Sequence, residues 1–372
     1  MANGPSHKQT SAWPLALASA CVAIYASLYP FSGWRDQGLP PWVFLAAPWP
    51  RYWTGFDLMV NLLGYSVLGF LLALSVLRGT DWRWPVSLAT LAAAGLSLTL
   101  ETLQAYLPAR VPSNLDFALN ASGAWLGALM ADLLERLGLL QRWSDFRRRW
   151  FLDRTAGGRV LLALWPIALL FPVSIPLGLG QVMQRAEDGL AALLAGTPFL
   201  EWLPIRDVEL QPLLPGAEMV CVALGLLAPI LMGYSIVRQR WQRAAVLMAV
   251  ALAAVLAGGL SSALSFGPEH AWAWLDRASR WGMWMGAGLA LVLILVPERG
   301  ALALCLLALG IQLTLLNQAA ADPYFEQTRQ VWEQGRFVRF NGLTKWLGWL
   351  WPFAALIYLL RRISGGAGRS GL

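Results

Sequence analysis

Charged side chains are scarce in this chain: Asp, Glu, Lys and Arg make up 13% of its 372 residues, about half the share of an ordinary soluble domain. Histidine occurs twice, as His7 and His270, and cysteine three times. Neither supplies a metal centre, because Cys21, Cys221 and Cys305 lie far apart in no ligand-like spacing and read as inert core thiols. No Walker A loop, dinucleotide glycine pattern or H-E-x-x-H sequence is present. These absences leave no case for a bound metal, nucleotide or other cofactor. An internal repeat is also missing, which gives an inverted-repeat transporter no support.

What the chain has in quantity is hydrocarbon, with 57% hydrophobic residues. A spanning helix needs about 20 mostly apolar residues. About ten runs approach that length: 12–30, 57–77, 85–106, 115–134, 160–179, 216–237, 244–264, 281–296, 301–316 and 347–360. The expected fold class is all-α, a polytopic transmembrane helical bundle of about ten helices. The link PERG (297–300) predicts a tight hairpin between the eighth and ninth. Ala18, Ser19 and Ala20 ahead of Cys21 resemble a cleavage site, but the apolar run continues beyond them, so an uncleaved first helix is expected.

The chain divides at a basic loop, 138–159. A four-helix membrane domain (12–137) precedes it, and a six-helix membrane domain (160–362) and a Gly/Ser-rich disordered tail (363–372) follow. The two long loops of the second half predict short surface helices, one of them near 322–335. Cytoplasmic loops carry an excess of Lys and Arg. With the N-terminus cytoplasmic, the inner segments hold 17 of the 28 basic residues and only six of the 21 acidic ones, which places both termini inside. The net charge of +7 then needs no nucleic acid to explain it. The run QRWSDFRRRWFLDR reads as an anchor on anionic lipid, worth about 1 kcal/mol per basic residue. Membrane lipids are the expected partners. Most of the 21 Trp residues lie near helix ends as an aromatic belt, with sugar stacking as the alternative for Trp42, Trp49 and Trp53.

Polar side chains in apolar spans cost several kcal/mol and ask for a partner, water or a function. On this topology Asp57 and Asn61 open the second helix. Glu101 and Gln104 close the third, Arg110 and Ser113 occupy the loop after it, and Asp116 and Asn120 open the fourth. The i, i+3 and i, i+4 spacings put each pair on one face, and all reach the outer leaflet. Three carboxylates face a single guanidinium, which could pair with one of them bidentately. The cluster reads either as glue between helices or as a ligand or catalytic site. A cavity is expected between the second, third and fourth helices. Gly123 and Gly127, a G-x-x-x-G pair, together with Gly64 and Gly69, read as close-packing positions.

These motifs resemble the VanZ-like family of bacterial membrane proteins. The resemblance rests on SLYPF (27–31), D-x-x-x-N-x-x-G (Asp57, Asn61, Gly64) and E-x-x-Q (Glu101, Gln104). It is completed by R-x-x-S-x-x-D-x-x-x-N-x-x-G-x-x-x-G (Arg110, Ser113, Asp116, Asn120, Gly123, Gly127). It implies a multi-pass protein of the bacterial cytoplasmic membrane with a role at the cell envelope, the founding member being associated with low-level teicoplanin resistance. The leading expectation is an accessory protein whose Asp57, Asn61, Glu101, Gln104, Arg110, Ser113, Asp116 and Asn120 bind a lipid-linked glycan or glycopeptide. The alternatives are a transporter and a membrane-embedded enzyme on a lipid-linked substrate, with Glu101 or Asp116 as general acid or base and Arg110 holding a phosphate. The enzyme reading lacks a nucleophile with a base beside it. Oligomeric state is open.

Overall fold

The computed structural model describes residues 12–29, 31–50, 53–79, 84–153, 155–202, 211–319 and 338–367. Among them the chain forms twelve α-helices and no strand, with two isolated bridges, Phe151–Val237 and Gln211–Ala319. Eight helices are long and apolar enough to cross a membrane, and two more are apolar but shorter. The chain is therefore a multi-pass helical membrane protein. It separates into two compact units, Met1–Phe146 and Arg147–Leu372.

The first unit contains α1 (Ala12–Leu28), α2 (Gly55–Gly79), α3 (Pro85–Gln104) and α4 (Asn114–Arg136). Its tightest seam joins α2 to α4, and small residues explain why. A Cβ on Gly127 would stand 1.9 Å from the Ser66 carbonyl oxygen, one on Gly123 2.2 Å from that of Leu62, and one on Gly69 2.1 Å from that of Ala124. Main chain therefore meets main chain, the geometry that small-xxx-small spacing permits. Gly64 is different. Nothing lies within 4 Å of a Cβ there, so the packing role expected for it is not found.

The basic stretch expected as a loop is the helix α5 (Leu139–Trp150). Leu139, Trp143 and Phe146, spaced i, i+4, i+7, form an exposed apolar stripe along it. The second unit then holds α6 (Ala156–Ala168), α7 (Met183–Leu194), α8 (Pro215–Tyr234), α9 (Arg240–Phe266), α10 (Arg277–Val292), α11 (Glu298–Asn317) and α12 (Val338–Ala367). α7 is a short surface helix without a buried residue; the one expected near 322–335 lies outside the described residues. α12 continues to Ala367, inside the expected tail.

α8 is apolar on all sides and forms the core, with α10, α11 and α9 against it. Gly282 and Gly286 seat α10 on the Met219 and Ala223 carbonyls of α8. α10 and α11 therefore pack chiefly on α8 rather than forming the tight mutual hairpin expected from PERG. Cys221 and Cys305 are buried core thiols, and the Cys305 thiol donates to the Ala228 carbonyl at 3.2 Å. Cys21, expected in the core, is exposed on α1.

The helix expected over 160–179 ends at Ala168. Pro172 and Pro176 have no N–H to continue it, and Leu177 and Gly180 adopt positive φ. The freed main chain finds other partners. Gln312 Nε2 donates to Leu177 O at 3.0 Å and Ser261 Oγ to Leu170 O at 3.1 Å, while Gly180 N donates to Gly348 O at 2.9 Å. Asn317 donates to Gly180 O at 3.1 Å and accepts from Val182 N and Met183 N at 3.0 and 2.9 Å. Non-helical backbone inside a membrane-spanning unit persists only when satisfied in this way.

Candidate functional site

The polar residues singled out in the first unit gather where α1 and α3 end and α2 and α4 begin. Both starting helices use the same capping logic. Thr54 Oγ1 accepts from Asp57 N at 3.2 Å, and Asp57 Oδ2 accepts from Thr54 N at 3.3 Å and Thr54 Oγ1 at 2.6 Å. This is a reciprocal capping box with Asp at the third helical position, and it gives exposed Asp57 a local task. At α4, Ser113 Oγ accepts from Asp116 N at 3.3 Å, but the Ser113 N–H goes elsewhere, to Glu101 Oε2 at 2.8 Å. Glu101, only 4% exposed, thus takes the position that an Asp116 carboxylate would fill in a closed box. The Asp116 carboxylate instead lies beside Asp57 and the Asn61 amide.

Two other residues of the set turn toward α1. The last carbonyls of a helix have no intrahelical donor, and here side chains from elsewhere supply one. Gln104 Nε2 donates to Ser27 O at 3.0 Å. The Arg110 guanidinium donates to Tyr29 O through Nε at 3.1 Å and through Nη2, with a longer contact to Ala26 O at 3.5 Å. The bidentate carboxylate pairing open to Arg110 in the sequence is therefore not adopted, because its donors face the exposed carbonyls of α1. These contacts bring the end of α1 to the cluster through the Ser27 and Tyr29 main-chain acceptors.

The innermost layer contains two residues that sequence reasoning did not assign to the site. Asn120 Nδ2 donates to Ser97 Oγ at 2.9 Å, and the Tyr65 hydroxyl lies close to Ser97 and Glu101. Tyr65 is 6% exposed, Ser97 0% and Asn120 5%. Among the described residues, Asn120 Oδ1 and the Tyr65 hydroxyl nevertheless have no partner that meets hydrogen-bond geometry, although Ser97 stands beside Tyr65. Tyr65 is four residues after Asn61 and Ser97 four before Glu101, so each lies on the face already singled out. That spacing was the signal available for finding them.

The arrangement divides into clasps and free capacity. Gln104, Arg110, Glu101 and Ser113 hold helix ends together. Asp116, Asn61, Asn120 and Tyr65 retain acceptors and donors. No serine of the cluster is paired with a base among the described residues: Ser113 Oγ accepts from a main-chain N–H and Ser97 Oγ from an amide. No grouping of three or more potential metal ligands occurs among the described residues. Where a cavity was expected between α2, α3 and α4, α2 and α4 close on each other along Gly123 and Gly127. A formed cleft lies in the second unit. The first connecting segment folds back on this end of the first unit: Arg35 N donates to Tyr106 O at 2.9 Å and Gln37 Nε2 to Ala105 O at 2.7 Å. Asn114 Nδ2 donates to Ala47 O at 2.6 Å. It leaves Trp34, Trp42, Trp49 and Trp53 exposed.

Residues 6–135 match the family model described as VanZ/LLP1. The match covers α1 to α3, α4 as far as Glu135, and every residue of the cluster. No curated protein and no solved structure gives a significant match.

Proposed function

From a VanZ-like domain in the N-terminal third of a multi-pass membrane protein, we propose an envelope-binding role. The polar end of that domain binds the headgroup of a lipid-linked glycan or a glycopeptide-type envelope component at the outer leaflet of a bacterial cytoplasmic membrane. The observation that carries this reading is the pair of buried polar atoms unmatched among the described residues, Asn120 Oδ1 and the Tyr65 hydroxyl. Buried polar groups in folded proteins are almost always hydrogen-bonded, so two together ask for a group that both donates and accepts. A sugar hydroxyl does both. Asp116 and Asn61 above them add further acceptors and donors, and the exposed Trp42, Trp49 and Trp53 supply stacking faces beside the site.

Binding is favoured over catalysis because, among the described residues, no serine of the cluster is hydrogen-bonded to a base, the Thr54 hydroxyl on exposed Asp57 closes a helix cap, and the Arg110 guanidinium is engaged with Tyr29 O. It is favoured over transport because Asp57 and Asp116 sit in the first turns of their helices and Gln104 ends α3, whereas transporter sites lie near the bilayer middle. The excess of basic residues in the segments assigned to the cytoplasm supports placing this end outside.

The test is photo-crosslinking from a benzophenone amino acid at position 61, with the full chain in its native membrane. The expected product carries glycan and lipid label, and its yield falls about fivefold in the Tyr65→Phe variant, the equivalent of one neutral hydrogen bond. Crosslinks confined to neighbouring protein and ordinary phospholipid would overturn the proposal.

A further inference from the structure

The helix α5 carries the chain from α4 to α6, and its two ends fix the depth at which it lies. α4 starts at the polar cluster and ends at Arg136, so α5 begins at the opposite membrane face. Gly138, at φ +69°, turns the chain between them. The far end of α5 is tied to the link between α8 and α9: Arg238 N donates to Trp150 O at 3.0 Å, Leu152 N to Ile236 O at 2.8 Å and Gln242 Nε2 to Arg149 O at 3.3 Å. There α8 ends and α9 begins, both of them membrane-spanning helices. Each end of α5 is thus held at the end of a span, the level of lipid headgroups.

The exposed stripe of Leu139, Trp143 and Phe146 is bordered by cations. At about 100° per residue, Arg142 and Arg149 fall on one side of the stripe and Arg147 on the other, each within about 90° of its middle. Arg142 and Arg149 are exposed and Arg147 is half-buried. Other arginines near the ends of the spans have carboxylate partners: Arg78 meets Glu135 at 3.2 Å, Arg136 meets Asp132 at 2.8 Å and Arg362 meets Glu298 at 2.7 Å. Among the described residues no carboxylate or carbonyl accepts from the side chains of Arg142, Arg147 or Arg149. The one acidic residue of α5, Asp145, accepts from Gln141 Nε2 at 3.3 Å. α5 therefore presents an apolar stripe between unmatched cations, the pattern of a helix that lies in a membrane interface. Arginine stems can follow the hydrocarbon while their heads stay among polar groups.

We propose that α5 binds anionic phospholipid of the leaflet on which it lies. Trp143 and Phe146, stacked with ring centroids 5.5 Å apart, enter below the headgroups, and Arg142, Arg147 and Arg149 donate to phosphate oxygens, which guanidinium groups meet with paired N–H donors. The unmatched positive charge selects a negatively charged lipid over a zwitterionic one. The apolar stripe between the arginines selects a bilayer surface over free phosphate or an acidic polypeptide. The excess of basic residues at this face makes it the cytoplasmic leaflet, where anionic lipids give the surface its negative potential. Arg148, exposed on the side of the helix opposite the stripe, gives an internal comparison for charge without that geometry.

The experiment places a benzophenone amino acid at position 143 of the full chain, in nanodiscs of equal parts phosphatidylglycerol and phosphatidylcholine, and identifies the crosslinked lipid by mass spectrometry. Phosphatidylglycerol adducts are expected to exceed phosphatidylcholine adducts about fivefold. Arg142→Gln and Arg149→Gln together should bring that ratio close to one while the total yield of lipid adducts is kept, which shows that the helix still lies on the bilayer. Arg148→Gln should leave the ratio within about twofold of the parent. Equal labelling of the two lipids by the parent would overturn the proposal, as would a ratio that the double substitution leaves intact or that Arg148→Gln lowers as far. Adducts on protein alone would overturn it too, in favour of a protein partner or a second copy of the chain.

Discussion

Gly127→Ala is expected to destabilise the first unit by about 3 kcal/mol, the upper part of the range for overpacking a closed interface. The added methyl group would stand 1.9 Å from Ser66 O. A side chain at that distance could rotate away, but the obstacle is main chain, so α2 and α4 must separate. Because Gly123 and Gly69 close the same α2–α4 seam, one from α4 and the other from α2, a separation at one position loosens the others. Gly64→Ala is the control. With nothing within 4 Å, it should be neutral or should stabilise by about 0.5–1 kcal/mol through helix propensity. Unfolding midpoints in detergent would separate the two. Equal behaviour of the two variants would show that the α2–α4 seam is not formed by direct main-chain contact.

Arg110→Met should cost about 3 kcal/mol, because it leaves carbonyl oxygens at the end of α1 without a donor where little water can replace it. Gln104→Leu removes a neutral donor from Ser27 O and should cost about 1 kcal/mol. The two losses should sum to less than their separate values, since both act on one helix end and a frayed α1 has less to lose from the second. Thermal unfolding of the two single variants and the double variant measures this coupling. If Arg110→Met were as stable as the parent but unable to bind ligand, the guanidinium would be a ligand contact and its place at α1 incidental.

The membrane class was legible because apolar runs of spanning length depend only on composition and order. The close-packing face of α4 was legible too, since G-x-x-x-G states where a backbone can approach; that α2 is the helix it meets, through Gly69 but not Gly64, was not. The direction of Arg110 was not. Spacing puts it near three carboxylates, but which acceptor it meets depends on how α1 approaches the bundle, and no local pattern encodes that. Asp57 and Asp116 carried a capping signal, T-x-x-D and S-x-x-D, alongside their resemblance to a site motif. Only the structure shows Asp57 closing its box while Glu101 displaces Asp116 from the other. The end of α6 was hidden for a different reason: hydropathy over 160–179 is indifferent to Pro172 and Pro176, although those residues end the helix.

The central distinction is between residues that clasp helix ends and residues that retain capacity for a ligand, and Asp116→Asn tests it most directly. The substitution keeps the main-chain N–H that Ser113 Oγ accepts and removes one of two neighbouring negative charges, those of Asp57 and Asp116. Stability should therefore be unchanged or slightly higher, while crosslinking of a glycan-bearing lipid from position 61 should fall. The decisive measurement pairs that crosslinking yield with the unfolding midpoint of the same sample, alongside Arg110→Met. A stable Asp116→Asn protein with lost crosslinking is the expected result. An Asp116→Asn protein as unstable as Arg110→Met, with crosslinking intact, would contradict it and reduce the whole cluster to structural glue.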